Sequence, residues 1–498
     1  MTPDAPTPTP AEGWVAAVDL GATSGRVLVG RVHDGSLEID VVHRFPNQPV
    51  RTPDGLRWNV LELYRQVLTG LREAVRRRPG LVSIGICSWA VDYGLVRVRD
   101  DAPPLLVGSP FHYRDDRTAR GVEAVHAVVE PDVLYQSAGL QFLPFNTLYQ
   151  LAVDAADGQL DDRTRALLLP DLFGHWLTGA LVAERTNAST TGLLDVRTGG
   201  WNTTLLDKLG LPGGLLPDLV EPGTRIGAVT GAAADELGLD PGRHPGGPAL
   251  VAVGSHDTAS AVVAVPMADP TTAAYISSGT WSLVGLELDA PVLTEDARAA
   301  GFTNEGGVDD RIRFLHNVMG LWLLNESVRR WERDGVEVDL PALLADAADV
   351  DPAEVPVFDA EDDSLLRAGD DMPERIAALC GSGGAGLTGD TDRARVLLVR
   401  SICASLAAAY AATLESAERL SGRRVEVIHV VGGGSQNPLL CQLTADRTGR
   451  RVLAGPVEAT AIGNVLVQSR AAGTVSGGLA ELRTLVADAH PPTGYEPR

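Results

Sequence analysis

Two stretches carry the residue types of phosphoryl chemistry. The first is Trp14-Val-Ala-Ala-Val-Asp19-Leu-Gly21-Ala-Thr-Ser-Gly25-Arg26-Val-Leu-Val-Gly30. An apolar run ends in one aspartate, turns over two glycines and two hydroxyls, and becomes apolar again. This is the pattern of two strands joined by a tight turn. Gly21 and Gly25 are expected to relax the backbone there, so that successive N–H groups converge on an anion. Asp19, at the strand end, is placed to hold a hydrated divalent cation. The spacing Gly-x3-Gly, with Arg26 and a continuing strand behind it, does not fit a P-loop. No third glycine opens a helix, as a dinucleotide fingerprint requires. An ordinary glycine-turn hairpin has the same residues.

The second stretch is Ala249-Leu-Val-Ala-Val-Gly254-Ser-His256-Asp257-Thr258-Ala-Ser-Ala-Val-Val-Ala-Val265. A carboxylate between two apolar runs is costly to bury unless it has a partner or a task. At the floor of a cleft, Asp257 can accept the proton of a substrate hydroxyl as a phosphoryl group moves onto its oxygen. The alternative is that Asp257 caps a helix starting at Thr258 or Ala259. His256 either orients a sugar hydroxyl or fills a hydrogen-bonding position. Thr258 either contacts substrate or is itself the cap.

Other segments read less sharply. Ala273–Ile276, a turn Ser277–Thr280 and Trp281–Leu286 repeat the opening hairpin, and that turn is expected to face terminal phosphates from the opposite side. Val425–Val431 runs into Gly432–Gly434 and a helix from Pro438, which places backbone amides at a helix start and lets an adenosine lie against glycine. Ser88–Gly94, at the end of the strand Leu81–Cys87, offers Trp89 and Asp92 as a sugar platform or as plain core. Asn317 is a candidate helix cap.

These residues need two α/β units to position them. At 498 residues the chain has room for roughly two to four domains, and 44% hydrophobic with 21% charged residues is a globular composition. The net charge of −23 argues against nucleic acid or an anionic membrane as partner. No run approaches the roughly 18 uninterrupted apolar residues of a membrane span. Cys87, Cys380, Cys403 and Cys441 form no CxxC pair, and the expectation is reduced thiols in a cytoplasmic protein. Met1–Glu12, rich in Pro and Thr, reads as a disordered tail.

Leu37–His43 is a third strand. A helix capped by Asn59 follows, with Leu61, Tyr64, Leu68, Leu71 and Val75 on one face. Three strands, a helix and a strand build an antiparallel meander extended by a crossover strand. The clearest boundary signal is Asp240–Pro248. A long helix spans about Asp392–Leu420, and Ala459–Ala472 is a helix in which Gly463 permits close packing. The expected division is a tail (1–12), an N-terminal domain (13–248), a C-terminal domain (249–475) and an extension (476–498). Two half-molecules, each with a hydroxyl-lined hairpin, correspond to the actin-like (ribonuclease H-like) ATPase fold, in which two α/β domains face each other across a cleft.

The chain also resembles the FGGY carbohydrate kinases. The resemblance rests on Asp19-Leu-Gly-Ala-Thr-Ser-Gly-Arg26, Val91-Asp-Tyr-Gly-Leu95, Pro144-Phe-Asn-Thr-Leu-Tyr-Gln150, Leu169-Pro-Asp-Leu172 and Thr186-Asn-Ala-Ser-Thr-Thr191. It continues in Ser255-His-Asp-Thr-Ala-Ser-Ala261, Ser277-Ser-Gly-Thr-Trp-Ser282, Asn304-Glu-Gly-Gly307, Asn317–Leu324 and Gly432-Gly-Gly-Ser-Gln-Asn437. Among these, the segments at 255–261 and 277–282 are similar to the branch that acts on L-rhamnulose.

The resemblance implies transfer of the ATP γ-phosphoryl to O1 of L-rhamnulose, with Mg²⁺ as cofactor. It implies Asp257 as proton acceptor. Ala22, Thr23, Ser24, Gly25, Arg26, Thr280, Asn325 and Gly433 would bind ATP. Ala90, His256, Asp257, Thr258 and Asn317 would bind the sugar, and Asp19 the metal through water. Partners are then the sugar and ATP alone, in a monomer or homodimer. Ala90 stands where the family has glycine, and its methyl is expected to narrow the pocket. Asn325 replaces a longer Gln, and Thr444 and Thr448 stand where some relatives carry cysteines. Kinases of other ketoses or polyols (L-fuculose, D-xylulose) share the fold. An actin-fold protein that binds nucleotide without turnover is the alternative of another class.

Overall fold

Apolar runs with interior alanine and valine become strands covered on both faces. The structure is a computed structural model describing residues 13–239, 246–366, 371–389 and 391–498. The expected tail, 1–12, and positions 240–245 of the expected boundary lie outside the described residues. In the first sheet, β1 (Val15–Leu20), β2 (Ser24–His33) and β3 (Ser36–Pro46) form an antiparallel meander. β1 pairs in parallel with β4 (Ser83–Ser88), and β4 with β5 (Ala249–Val251). Every residue of β1 and β4 is buried, which is why both read as unbroken apolar runs rather than alternating ones.

The second sheet repeats the plan. β6 (Ala273–Ser278), β7 (Trp281–Leu288) and β8 (Ile312–Met319) form the meander. β6 pairs in parallel with β9 (Val427–Val431), and β9 with β10 (Arg451–Ala454). The order β3-β2-β1-β4-β5 therefore recurs as β8-β7-β6-β9-β10, with one further antiparallel strand at three of the four sheet edges. This is the two-domain α/β architecture expected from the paired hairpins. The chain leaves the first sheet after Val251, beyond residue 248. Residues 476–498 are no appendage: Leu479–Ala489 is a helix, and Thr493–Tyr495 pairs with β10.

Helix α1 (Val60–Arg77) covers the first sheet with a different stripe from the one expected. Val60, Leu63, Val67, Leu71, Ala74 and Val75 are buried, whereas Leu61 is 66% exposed and Asn59 makes no side-chain cap. The helix starts at Val60, so the buried arc is centred on Leu63 and Val67, and each such aliphatic side chain contributes about 1.5–3 kcal/mol. Helices α2 (Asp257–Val263) and α3 (Trp322–Arg333) follow β5 and β8, respectively. α4 (Asp392–Ser421) is capped by Thr391 Oγ1, which accepts from the Ala394 N–H, and ends at Gly422, whose φ is 71°. By length and composition it could cross a membrane. It is instead a core helix, with Leu398, Val399, Ile402, Leu406, Tyr410 and Leu414 fully buried beside the second sheet.

α5 (Pro438–Thr448) and α6 (Ala459–Ala471) complete the second half. α6 lies against β1, β2 and β4 of the first sheet and crosses α2. The crossing is close: a Cβ on Gly463 would stand 1.8 Å from the Ser260 carbonyl oxygen. That contact fixes α2, and hence Asp257 at its first turn, at the seam between the two halves.

Candidate active site

The turns of the two hairpins open into one cavity of about 270 Å³, close to the ~300–1,000 Å³ of small-ligand sites. Of the residues singled out by sequence, Asp19, Ala22, Thr23, Arg26, Ala90, His256, Asp257, Thr258, Thr280, Asn317 and Gly433 line it. Ser24, Gly25 and Asn325 do not. Asn325 is exposed on α3, and Gly25 is buried against Phe45, whose ring would stand 2.3 Å from an added Cβ. Gly21 and Gly25 have ordinary negative φ, so close packing and not left-handed backbone is what requires glycine at 25. In the later loop, Gly434 packs on Ser278 Oγ, 2.0 Å from an added Cβ, whereas Gly433 has open space on its Cβ side.

Asp257 is the first residue of α2 and does not cap it; the cap position is His256, which makes no side-chain cap bond. The Asp257 side chain is 31% exposed at the cavity floor, and the Thr258 hydroxyl donates to its Oδ1 at 3.1 Å. Burial pushes its carboxyl above the usual value. The nearby Asp19 charge adds to this, and His256 opposes it. His256 Nε2 lies 3.3 Å from Asp257 Oδ1, and Arg313 Nη2 lies 3.0 Å from His256 Nδ1. Nδ1 also lies 3.2 Å from Glu305 Oε2, so the ring bridges the Arg313–Glu305 pair on one side and Asp257 on the other. Arg313 is fully buried and pairs at 2.9 Å with Glu305, its direct partner on the neighbouring strand.

Asp19, at the end of β1, accepts from Arg26 at 2.6 Å (Nη2) and 2.8 Å (Nε). Arg26 Nη1 also pairs with Glu458 at 2.8 Å. The positive charge that the sequence suggested for phosphate is therefore shared between two carboxylates. Asp19 and Asp257 face the same cavity and repel each other electrostatically. Two carboxylates facing one cavity fit Mg²⁺, which keeps most of its water shell and binds through one or two carboxylates and substrate phosphates.

The platform beside them is built from indoles. Trp58 Nε1 (2.5 Å), Trp89 Nε1 (3.0 Å) and the Tyr113 N–H (3.2 Å) all donate to Asp92 Oδ2, and Gln150 Nε2 (3.1 Å) donates to Oδ1. Asp92 is buried, and burial raises its carboxyl to about 6 against these donors. Val91 sits at φ 67°, a left-handed conformation costly for a β-branched residue. Its carbonyl is held by the Thr147 hydroxyl at 2.7 Å. This turn places Ala90 on the cavity wall.

Several site residues were not singled out from sequence. Glu184 is buried and accepts from the N–H groups of Thr186, Asn187 and Ser255 and from the hydroxyls of Thr186 and Ser255, which anchors the residue before His256. Gln141 Oε1 accepts from the Asn317 N–H (3.2 Å) and side-chain amide (3.1 Å); Asn317 lies in β8 and caps no helix. Arg114 reaches across the cleft to lie over Trp281 and Trp322 and donates to the Leu366 carbonyl. Glu305 and Arg313 had one usable signal: opposite charges placed symmetrically about a short turn.

The comparisons with known proteins agree with this geometry. The N-terminal domain pattern of the FGGY family of carbohydrate kinases matches residues 14–264, and its C-terminal domain pattern matches residues 274–472. The chain is 40% identical over 488 residues to a rhamnulokinase of Pectobacterium atrosepticum, covering 97% of this chain and 93% of that one. It is 37% identical to a rhamnulokinase of Bacteroides thetaiotaomicron, covering 97% and 95%. Among solved structures, a ligand-bound xylulose kinase from Lactobacillus acidophilus superposes with a TM-score of 0.75 at 15% identity, over 98% of this chain and 94% of that one. Plasmodium falciparum glycerol kinase with ADP gives 0.75 at 14%, with the same coverage. With both domain patterns matched in order along nearly the whole length, the chain belongs to the FGGY family of carbohydrate kinases.

Proposed function

We propose that the enzyme transfers the γ-phosphoryl of ATP to O1 of L-rhamnulose, giving L-rhamnulose 1-phosphate and ADP. The observation that carries the chemistry is Asp257, half-buried at the base of a cleft between two hydroxyl-lined hairpins. Near-full-length identity of 37–40% to proteins named rhamnulokinase supports the choice of sugar.

In this reading the ketose lies against Ala90, His256, Thr258 and Asn317. Asp257 takes the O1 proton as the oxygen bonds to phosphorus, and its raised carboxyl is better matched to that task than an ordinary one. His256, held by Arg313 from behind, keeps Asp257 oriented. The turn Ala22–Arg26 and Thr280 address the phosphates from opposite walls, Gly433 leaves room for the nucleoside, and Asn325 meets its outer part. Asp19 would hold Mg²⁺ through water, and the metal supplies charge neutralisation at the transferring phosphoryl. Closure over both substrates would exclude water and limit ATP hydrolysis. The need for ATP and four free cysteines suit a cytoplasmic enzyme.

The test is ADP release with L-rhamnulose, L-fuculose, D-xylulose and glycerol. L-Rhamnulose should have the highest kcat/KM, and the product should carry phosphate on O1. Preference for any of the other three would refute the choice of sugar. ATP binding without sugar-stimulated turnover would refute the kinase reading.

A further inference from the structure

Glu305 lines the cavity from the edge strand Thr303–Gly306, and the residue is only 6% exposed. Its two oxygens differ in surroundings. Oε2 lies 2.9 Å from Arg313 Nη1 and 3.2 Å from His256 Nδ1. Oε1 accepts no hydrogen bond from any described residue, although Glu305 belongs to the cavity wall. Arg313 is itself fixed, since its Nε donates to the Gly306 carbonyl at 2.9 Å. Oε2 is buried and held by its charged neighbours without a hydrogen bond, which leaves Oε1 as the oxygen free to meet a donor from the cavity.

We propose that Glu305 is a further substrate-binding residue, one that selects the ketose by a single secondary hydroxyl whose proton its Oε1 accepts. This rests on the ketose-kinase reading above. Burial alone would raise the Glu305 carboxyl, but Arg313 and His256 hold it below the usual range, so the group is ionised at neutral pH and can only accept. Its partner must therefore donate. A hydroxyl fits; an ether oxygen does not, and a phosphate or carboxylate at that position is repelled. The same charge thus discriminates free sugar from one already phosphorylated at that end.

The experiment compares kcat/KM for L-rhamnulose with its 3-, 4- and 5-deoxy analogues, in the wild-type enzyme and in Glu305→Met. In the wild type, one analogue should fall by roughly 10²-fold, as expected where a charged acceptor loses its donor. In E305M that one ratio should shrink to less than about fivefold, while the other two ratios stay as they were. A purely structural role for Glu305 would depress all four sugars together and leave every ratio unchanged, and that result overturns the proposal. E305M leaves Arg313 buried without its ion-pair partner. If it does not fold, Glu305→Met with Arg313→Met, which leaves no charge unpaired, gives the same ratios. A wild-type enzyme inactive on L-rhamnulose would instead refute the choice of sugar, and the ratios are then measured on deoxy analogues of the ketose that is turned over.

Discussion

Arg26 grips Asp19 through two bonds to one oxygen, 2.6 Å from Nη2 and 2.8 Å from Nε to Oδ2. Glu458 lies on the other side of the guanidinium and also pairs with Arg44 at 2.7 Å, so two carboxylates and two guanidinium groups form a charge-balanced cluster at the first hairpin. Asp19 is thereby held rigidly, with its remaining oxygen able to meet the hydration shell of a divalent cation.

Asp19→Asn should therefore raise the Mg²⁺ concentration that half-saturates turnover by roughly 10–100-fold, the range for losing an outer-sphere orienting group. The KM for the sugar should change little. A Mg²⁺ titration at fixed ATP, with calorimetry of Mg-ATP binding alongside, reads both. An unchanged Mg²⁺ requirement would remove Asp19 from the metal site.

Gly463 can be tested through stability. The Cβ of Gly463→Ala would stand 1.8 Å from the Ser260 carbonyl oxygen, a backbone atom that cannot swing aside. α6 must then back away from α2, at a cost of about 1–3 kcal/mol in unfolding free energy, the scale of overpacking. Urea unfolding should show a lower midpoint, and kcat should fall as well because α2 carries Asp257. A midpoint equal to that of wild type would contradict the crossing described.

Asp92 links stability to pH. Its folded carboxyl is raised to about 6 from 3.8, so between those values the native state holds a proton that the unfolded chain has lost. Stability from this group is fully present below about pH 4 and declines as pH rises toward 6. Asp92→Asn removes that decline. The stability of wild type relative to Asp92→Asn should thus be greatest near pH 4 and smallest above pH 6, as measured by urea unfolding across that range. A difference independent of pH would contradict the raised value. The variant should also raise the KM for the sugar, because Trp58 and Trp89 both lose a charged acceptor.

The two hairpins and helices α4 and α6 were legible because each is written locally: an apolar run, a turn, a cap, a glycine. Asp257 was legible because a carboxylate between apolar runs has few places to go. What depended on long-range pairing was hidden. Glu305 meets Arg313 only once β8 has paired with its edge strand, and Gln141 meets Asn317 across 176 positions of sequence. The reason for Gly25 was legible only as a turn, whereas its cause is the ring of Phe45, brought alongside by β3. Arg26 read as a phosphate ligand because Asp19, seven positions before it, becomes its partner only through the pairing of β1 with β2, and Glu458 lies more than 400 residues away.

The central claim is that Asp257 takes the proton from the sugar hydroxyl. Asp257→Asn keeps the size of the side chain and the bond from Thr258 but cannot accept that proton. Steady-state ADP release with L-rhamnulose should show kcat reduced by about 10²–10⁴-fold with the KM for ATP within a few-fold of wild type. Turnover within threefold of wild type would contradict the account.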